Sequence, residues 1–359
     1  MVIIYRYLII EFAKPLFFSV VSFGGLVMIS EFFRELNFFL EKKAAFSDVF
    51  AYLFLNFPWW CIQVLPVSVL LAVLFSMGQM ARQNEITALK AAGINLWRIV
   101  SVLLLCGLII GMAELALRET AIPRLVQKSD IVRREKIQKE PRTIQTEYHD
   151  LVIALPPDGR MTVGRLDASN NAVSGLVLDY FSDGYRLSRQ LVARDGTWDG
   201  GYWILRSGVE RSYQGNKWNE KRFDSLKIQL AFKPEDFVIT NIRPEQMTAG
   251  EYLIYIHRME TLGMPAEKEL IRFHSRWAAV FSHIVVMLIG IPFAVGLGAR
   301  HGKMISFSFA LIIAFIYWGF QAVGQSLGET RFITPLAAAW IGNIIFGSVG
   351  IFLTGRIKK

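Results

Sequence analysis

An α-helical membrane protein with six transmembrane helices and an inserted all-β, jelly-roll-like periplasmic domain is the fold class this sequence predicts. Three observations carry it. Apolar residues make up 53% of the 359-residue chain, with 27 Phe and a mean hydropathy of +0.36, the profile of an integral membrane protein. Six stretches, near 15–33, 49–77, 96–116, 277–297, 304–323 and 333–353, are long and apolar enough to cross a bilayer. Charged residues are nevertheless 19% of the total, and they concentrate between Arg118 and Arg276, where the pattern changes to short alternating segments.

The expected organisation is 1–117 for the first three spans, 118–276 for the β domain with helical flanks, and 277–359 for the last three spans. The opening MVIIYRYLIIEFAKP leads into the first span, which lacks a small-residue cleavage site and is expected to stay as an anchor. Ser19, Ser22, Gly24 and Gly25 soften that span, allowing close helix approach and suggesting a loosely packed face that could open toward lipid. Pro58 and Pro66 are expected to kink the second span, and Trp59 and Trp60 suit an interface. Between the second and third spans lies a polar island, Gln79 to Gly93, expected as a surface helix. Met80, Ile86, Leu89 and Ala92 fall near one stripe, and Gly93 supplies the stop.

In the charged middle, LVIAL, MTVGRL, GLVLDYF, RLSRQLVA, YWILRSG and FDSLKIQLAF read as strands. Asp158-Gly159, Asp183-Gly184, Asp195-Gly196 and Gly215-Asn216 read as turns between them. Regular spacing of this kind predicts a sandwich or jelly roll. Segments 123–139 and 248–269 read as helical, the second with Thr248 and Glu251 as a capping box.

Positive charge sets the orientation. With the N-terminus in the cytoplasm, that side carries Arg6, Lys14, Arg82, Lys90, Arg98, Arg300, Lys303, Arg356, Lys358 and Lys359. The opposite loops carry Arg34, Lys42, Lys43 and Arg331, offset by Glu35, Glu41, Asp48 and Glu329. Both termini are therefore expected inside and the β domain outside. The net charge of +9 is spread over membrane flanks, with no basic run interleaved with aromatics, which favours a membrane surface over nucleic acid. Cys61 and Cys106 both lie within apolar spans and read as packing residues.

The residues that carry enzyme chemistry do not assemble into a pattern. GLGARHGKM, from Gly296 to Met304, lacks phosphate-loop spacing and has Met304 where a magnesium-binding hydroxyl belongs. The five histidines, His149, His257, His274, His283 and His301, lack metal-ligand spacing. Neither a catalytic residue nor a metal site is expected. His283 and Glu114 fall inside spans, where an ionisable group is either functional or a hydrogen-bonded packing residue. Arg34, Lys42 and Lys43 after the first span, and Arg272 and Arg276 before the fourth, suit anionic head groups or plain interfacial anchoring.

Taken in order, the YRYL opening, the proline-broken second span and RQNEITALKAAGI resemble the lipopolysaccharide export permeases of the LptF/LptG family. ARDGTWDGGYWILRSG, MTAGEYLIYI, RFHSRW, GIPF and TPLAAAWIGNIIF continue the likeness across essentially the whole chain. The resemblance implies an inner-membrane permease subunit of an ABC exporter. Such a subunit pairs with its F or G paralogue, docks an LptB-type ATPase dimer, and passes lipopolysaccharide to a periplasmic bridge that includes LptC. It implies no cofactor on this chain, the ATP and magnesium being used by the ATPase. It also implies that Glu85, with Arg82, Lys90 and Leu89, forms the ATPase coupling helix, and that Arg34 and its basic neighbours meet lipid phosphates. Two other readings of the residues stand beside it, a lipoprotein-release permease and a non-transporting envelope sensor.

Overall fold

The computed structural model describes residues 2–139, 147–155, 158–182, 186–214, 217–230, 233–234, 243–261, 264–296 and 303–356. The chain forms two compact units, Met1–Glu140 with Glu267–Lys359, and Pro141–Ala266.

The first unit is helical: α1 (Val2–Arg34), α2 (Leu36–Glu41), α3 (Phe46–Arg82), α4 (Glu85–Ala91), α5 (Leu96–Ile131, running on as π-helix Val132–Gln138), α7 (Glu267–Gly296), α8 (Lys303–Glu329) and α9 (Pro335–Gly355). Six of these, α1, α3, α5, α7, α8 and α9, are long and apolar enough to cross a membrane. The segment 123–139, expected to be helical, continues α5 unbroken past Arg118, and the chain leaves the helix beyond Gln138. Pro58 and Pro66 both lie inside one α3 helix. Trp60 is buried with Phe39, Tyr52 and Ile137, away from the interfacial role expected of it.

The core of this unit is α3 against α5 and α7. Val69, Leu70, Ala72 and Val73 meet Ile99, Val100 and Leu103 of α5 and Met287, Ile289 and Ile291 of α7. Glycines let the backbones approach: a Cβ on Gly111 would lie 2.5 Å from the Val280 carbonyl oxygen, and one on Gly290 would lie 2.9 Å from Leu70 Cδ1. Caps follow the sequence. Asn95 Oδ1 accepts from Trp97 N at 2.9 Å, and Thr334 Oγ1 accepts from Ala337 N at 3.3 Å with Pro335 at the first turn.

The second unit holds β1 (Glu147–Leu155), β2 (Gly159–Asp167), β3 (Ala172–Ser182), β4 (Arg186–Asp199), β5 (Tyr202–Gln214) and β6 (Lys217–Ile228), followed by α6 (Ala249–Thr261). The strands make one antiparallel sheet in sequential order. Among the described residues there is thus a single meander, without the crossover and second sheet of a jelly roll. Alternation buries one face: Ile153, Leu155, Met161, Val163, Leu176, Leu178, Leu191, Ala193, Trp203 and Leu205 form a common cluster, while Val152 points outward. The capping box is formed, with Thr248 N donating to Glu251 Oε2 at 2.9 Å. Asp195-Gly196 is not a turn; it lies inside β4, paired with Arg206 and Leu205. The hairpin closes instead at Gly200-Gly201, whose φ of 54° and 106° suits the two-residue loop between the pair Asp199 and Tyr202. Asp183-Gly184, Gly215-Asn216 and most of GLGARHGKM lie outside the described residues.

Candidate functional site

Helix α1 is apolar on all sides, yet one of its stripes faces a space. Phe23, Leu26, Val27 and Ser30 follow the i, i+3, i+4 spacing of one helical face. With Val64 and Val67 of α3 and Leu311, Ala314, Phe315 and Trp318 of α8, they line a cavity of about 300 Å³. Ser30 is the one polar residue in that lining. Leu26 and Phe315, on opposite walls, are themselves largely exposed, so the cavity opens sideways out of the bundle. The small residues of α1 divide between close helix approach and an open face: Ser22 is exposed and a Cβ on Gly25 meets nothing within 4 Å, whereas Gly24 and Ser19 pack closely. A Cβ on Gly24 would lie 2.8 Å from Cys61 Sγ, and Ser19 is buried; both belong to packed surface.

Arg34 lies one turn beyond Ser30 and continues the cavity stripe. Its guanidinium is exposed and pairs with Glu31 and, at 3.8 Å, Glu35. Glu35 also accepts from Arg133 Nη2 at 3.0 Å, and Arg133 reaches the Tyr52 hydroxyl at 3.2 Å and stacks over Phe38. Sequence reading missed Arg133, which lies 98 residues from Glu35 and is brought there by the extension of α5. Lys42 caps α2 and Lys43 follows it with φ 48°, both beyond the turn that ends α1. Arg272 meets Glu269 at 3.4 Å, and Arg276 meets Glu119 of α5 at 3.8 Å.

At the other end of α1 sits the polar island, and the structure splits it. Gln79–Arg82 finish α3, Asn84 turns the chain with φ 58°, and Glu85 opens the separate helix α4. Ile86 is buried and Leu89 packs on the same core cluster as Leu8 and Phe12 of α1, whereas Ala92 is exposed. Gly93, with φ 78°, ends the helix as expected; Ile94 N reaches Leu89 O at 3.0 Å in a Schellman pattern. Lys90 closes the last turn. The Tyr7 hydroxyl donates to both Glu85 carboxylate oxygens at 3.0 Å.

The two intramembrane ionisable groups meet each other, apart from the cavity. His283 Nε2 is 2.7 Å from Glu114 Oε2, and Arg118 Nε donates to Glu114 Oε1 at 2.9 Å. Nearby elements are tied by neutral bonds: Tyr317 donates to Asn343 Oδ1 at 2.8 Å, and Asn343 Nδ2 donates to the Ala278 carbonyl at 2.7 Å. Among the described residues, no group of three His, Cys, Asp or Glu is arranged to hold a metal ion.

A family model described as the lipopolysaccharide export system permease LptF/LptG matches residues 6–356. The chain belongs to the LptF/LptG family. The six apolar helices and the antiparallel sheet fit a membrane-embedded LptF/LptG permease with a β unit, a transporter component and not an enzyme. Among the curated proteins, none matches the chain.

Proposed function

We propose that this LptF/LptG permease is one half of an ATP-driven exporter in the inner membrane, pairing with a paralogue to lift lipopolysaccharide out of the bilayer. The observation that carries the reading is the cavity stripe of α1, an apolar wall ending in a cation. Acyl chains occupy the space between α1, α3 and α8, where apolar side chains replace the lipid tails around them at little cost in free energy. Arg34, one turn farther along, takes a phosphate bidentately by exchanging its carboxylate partners. Glu31 and Glu35 hold the guanidinium in place until the lipid arrives.

In this reading both termini and α4 are cytoplasmic, and Glu85 docks an LptB-type ATPase dimer, with Arg82, Lys90 and Leu89 shaping the contact. ATP and magnesium belong to that partner. The β unit is periplasmic and forms one wall of a jelly roll that passes lipid to an LptC-type neighbour along its apolar face. Lys42, Lys43, Arg272 and Arg276 supply further positive charge at the outer interface. An envelope sensor would have no use for a cavity open to the lipid side.

Photo-crosslinkers at Val27 and next to Arg34 test the reading in the assembled complex. Both positions are expected to capture lipopolysaccharide, and capture at Val27 is expected to change when ATP is hydrolysed. Adducts confined to the partner permease would make the α1 face a structural seam instead.

A further inference from the structure

The hydrogen bond between Tyr7 and Glu85 joins residues 78 positions apart, at the base of the helix that walls the cavity. One hydroxyl proton is shared between two carboxylate oxygens, both at 3.0 Å. A carboxylate offers roughly four acceptor sites, so most of its capacity is left unused by Tyr7. The bond therefore fixes the direction in which the carboxylate faces without competing for it. Beneath it, Ile86 and Leu89 of α4 share one apolar cluster with Leu8 and Phe12 of α1 and Met80 of α3. Helix α4 thus packs into the apolar cluster that α1 and α3 share, and the Tyr7–Glu85 hydrogen bond ties it to α1. The cavity residues begin at Phe23, about 24 Å farther along the same unbroken helix at 1.5 Å per residue.

We propose that Tyr7 is a positioning residue: it presents the Glu85 carboxylate to a cationic group of the nucleotide-hydrolysing subunit and makes α1 the element that feels that subunit move. The proposal rests on the reading that Glu85 docks the ATPase, and it adds which residue orients Glu85 and which helix receives the load.

A double-mutant cycle in nanodiscs carrying both permease subunits tests it, with ATPase-dimer affinity as the readout. Tyr7→Phe keeps the ring and removes only the donor. Losing a charge-assisted hydrogen bond at an exposed site is expected to weaken ATPase binding about three- to tenfold, with an unchanged melting temperature. In a Glu85→Ala background, the same Tyr7→Phe change is expected to have no further effect, because its target is gone. If Tyr7→Phe weakens binding equally in both backgrounds, or in neither, while Glu85→Ala alone still weakens it, the positioning role is overturned and the docking reading stands. If Glu85→Ala leaves affinity intact, both are overturned.

Discussion

Helices α3 and α1 have almost the same hydropathy over their most apolar windows, 2.1 and 1.9, yet 72% of one window is buried inside the protein and 11% of the other. Helix α7 sides with α3 at 67%, and α8 sides with α1 at 22%. Hydropathy reports that a segment can leave water; it does not report whether lipid or protein replaces the water. What separates the two classes is how far neighbouring helices surround each one, together with polar pairing. The α3, α5 and α7 group is drawn together at glycines and holds the Glu114–His283 pair, whereas α1 and α8 turn apolar side chains toward the cavity and the outside. The inner group is a frame and the outer pair is a wall.

The strongest way to break this contrast is inside the frame. Glu114→Ala leaves His283 and Arg118 without their shared partner in a buried site. Removing one member of a buried charged pair is expected to destabilise by about 3–5 kcal/mol, read as a lower unfolding midpoint in detergent. A loss too small to measure would mean that the frame does not depend on the pair.

A sharper comparison uses one substitution in two places. Gly111→Ala puts a methyl group against the Val280 backbone, whereas a Cβ on Gly25 of α1 meets nothing within 4 Å. The first is expected to cost about 1–3 kcal/mol by overpacking, and the second to be neutral or mildly stabilising through helix propensity. Equal effects would erase the distinction between frame and wall.

The smallest expected effect contrasts Glu114 with a carboxylate that water surrounds. Asp167, in the β2–β3 turn, accepts from Ser169 Oγ at 2.6 Å and Asn170 Nδ2 at 2.7 Å, and these bonds lower its pKa from 3.8 to about 2. A lowered folded pKa means that its contribution is complete above the ordinary carboxylate range and is lost as pH falls through about 2. Asp167→Asn should therefore flatten the acid limb of the β unit's stability between about pH 4 and pH 2, the variant being less stable than the parent at neutral pH and the difference closing as pH falls through about 2. A loss that persists undiminished at about pH 2 would show that the turn matters beyond its charge.

Much of this architecture was legible from periodicity alone. The six spans, the strands and the Thr248 capping box each leave a local pattern. The misreading at Asp195-Gly196 shows where locality fails. Gly196 looks like a turn residue, but it is glycine because a Cβ there would lie 2.9 Å from both Leu205 Cδ2 and Val173 Cγ2, in the neighbouring strands. The α1 stripe was hidden for a related reason: a helix apolar on every side carries no mark of which face meets a cavity. Glu85 stood out as an acidic residue on a polar island, but its partner Tyr7 could be found only by folding the chain. The same holds for Arg133 at Glu35 and for the pairing of Glu114 with His283 across 169 residues.

A wall made from a single helix has a property that a sheet in the same place would lack. Every backbone hydrogen bond along α1 is internal to it, so the helix can tilt or slide without uncovering a peptide group to hydrocarbon. What it gives up when it moves away from α3 is dispersion contact, such as that of Gly24 against Phe57 and Cys61, which lipid tails can largely replace. Shifting a strand would instead break a ladder with nothing in the bilayer to mend it. The least buried helix of the six can thus be displaced without uncovering its backbone polar groups.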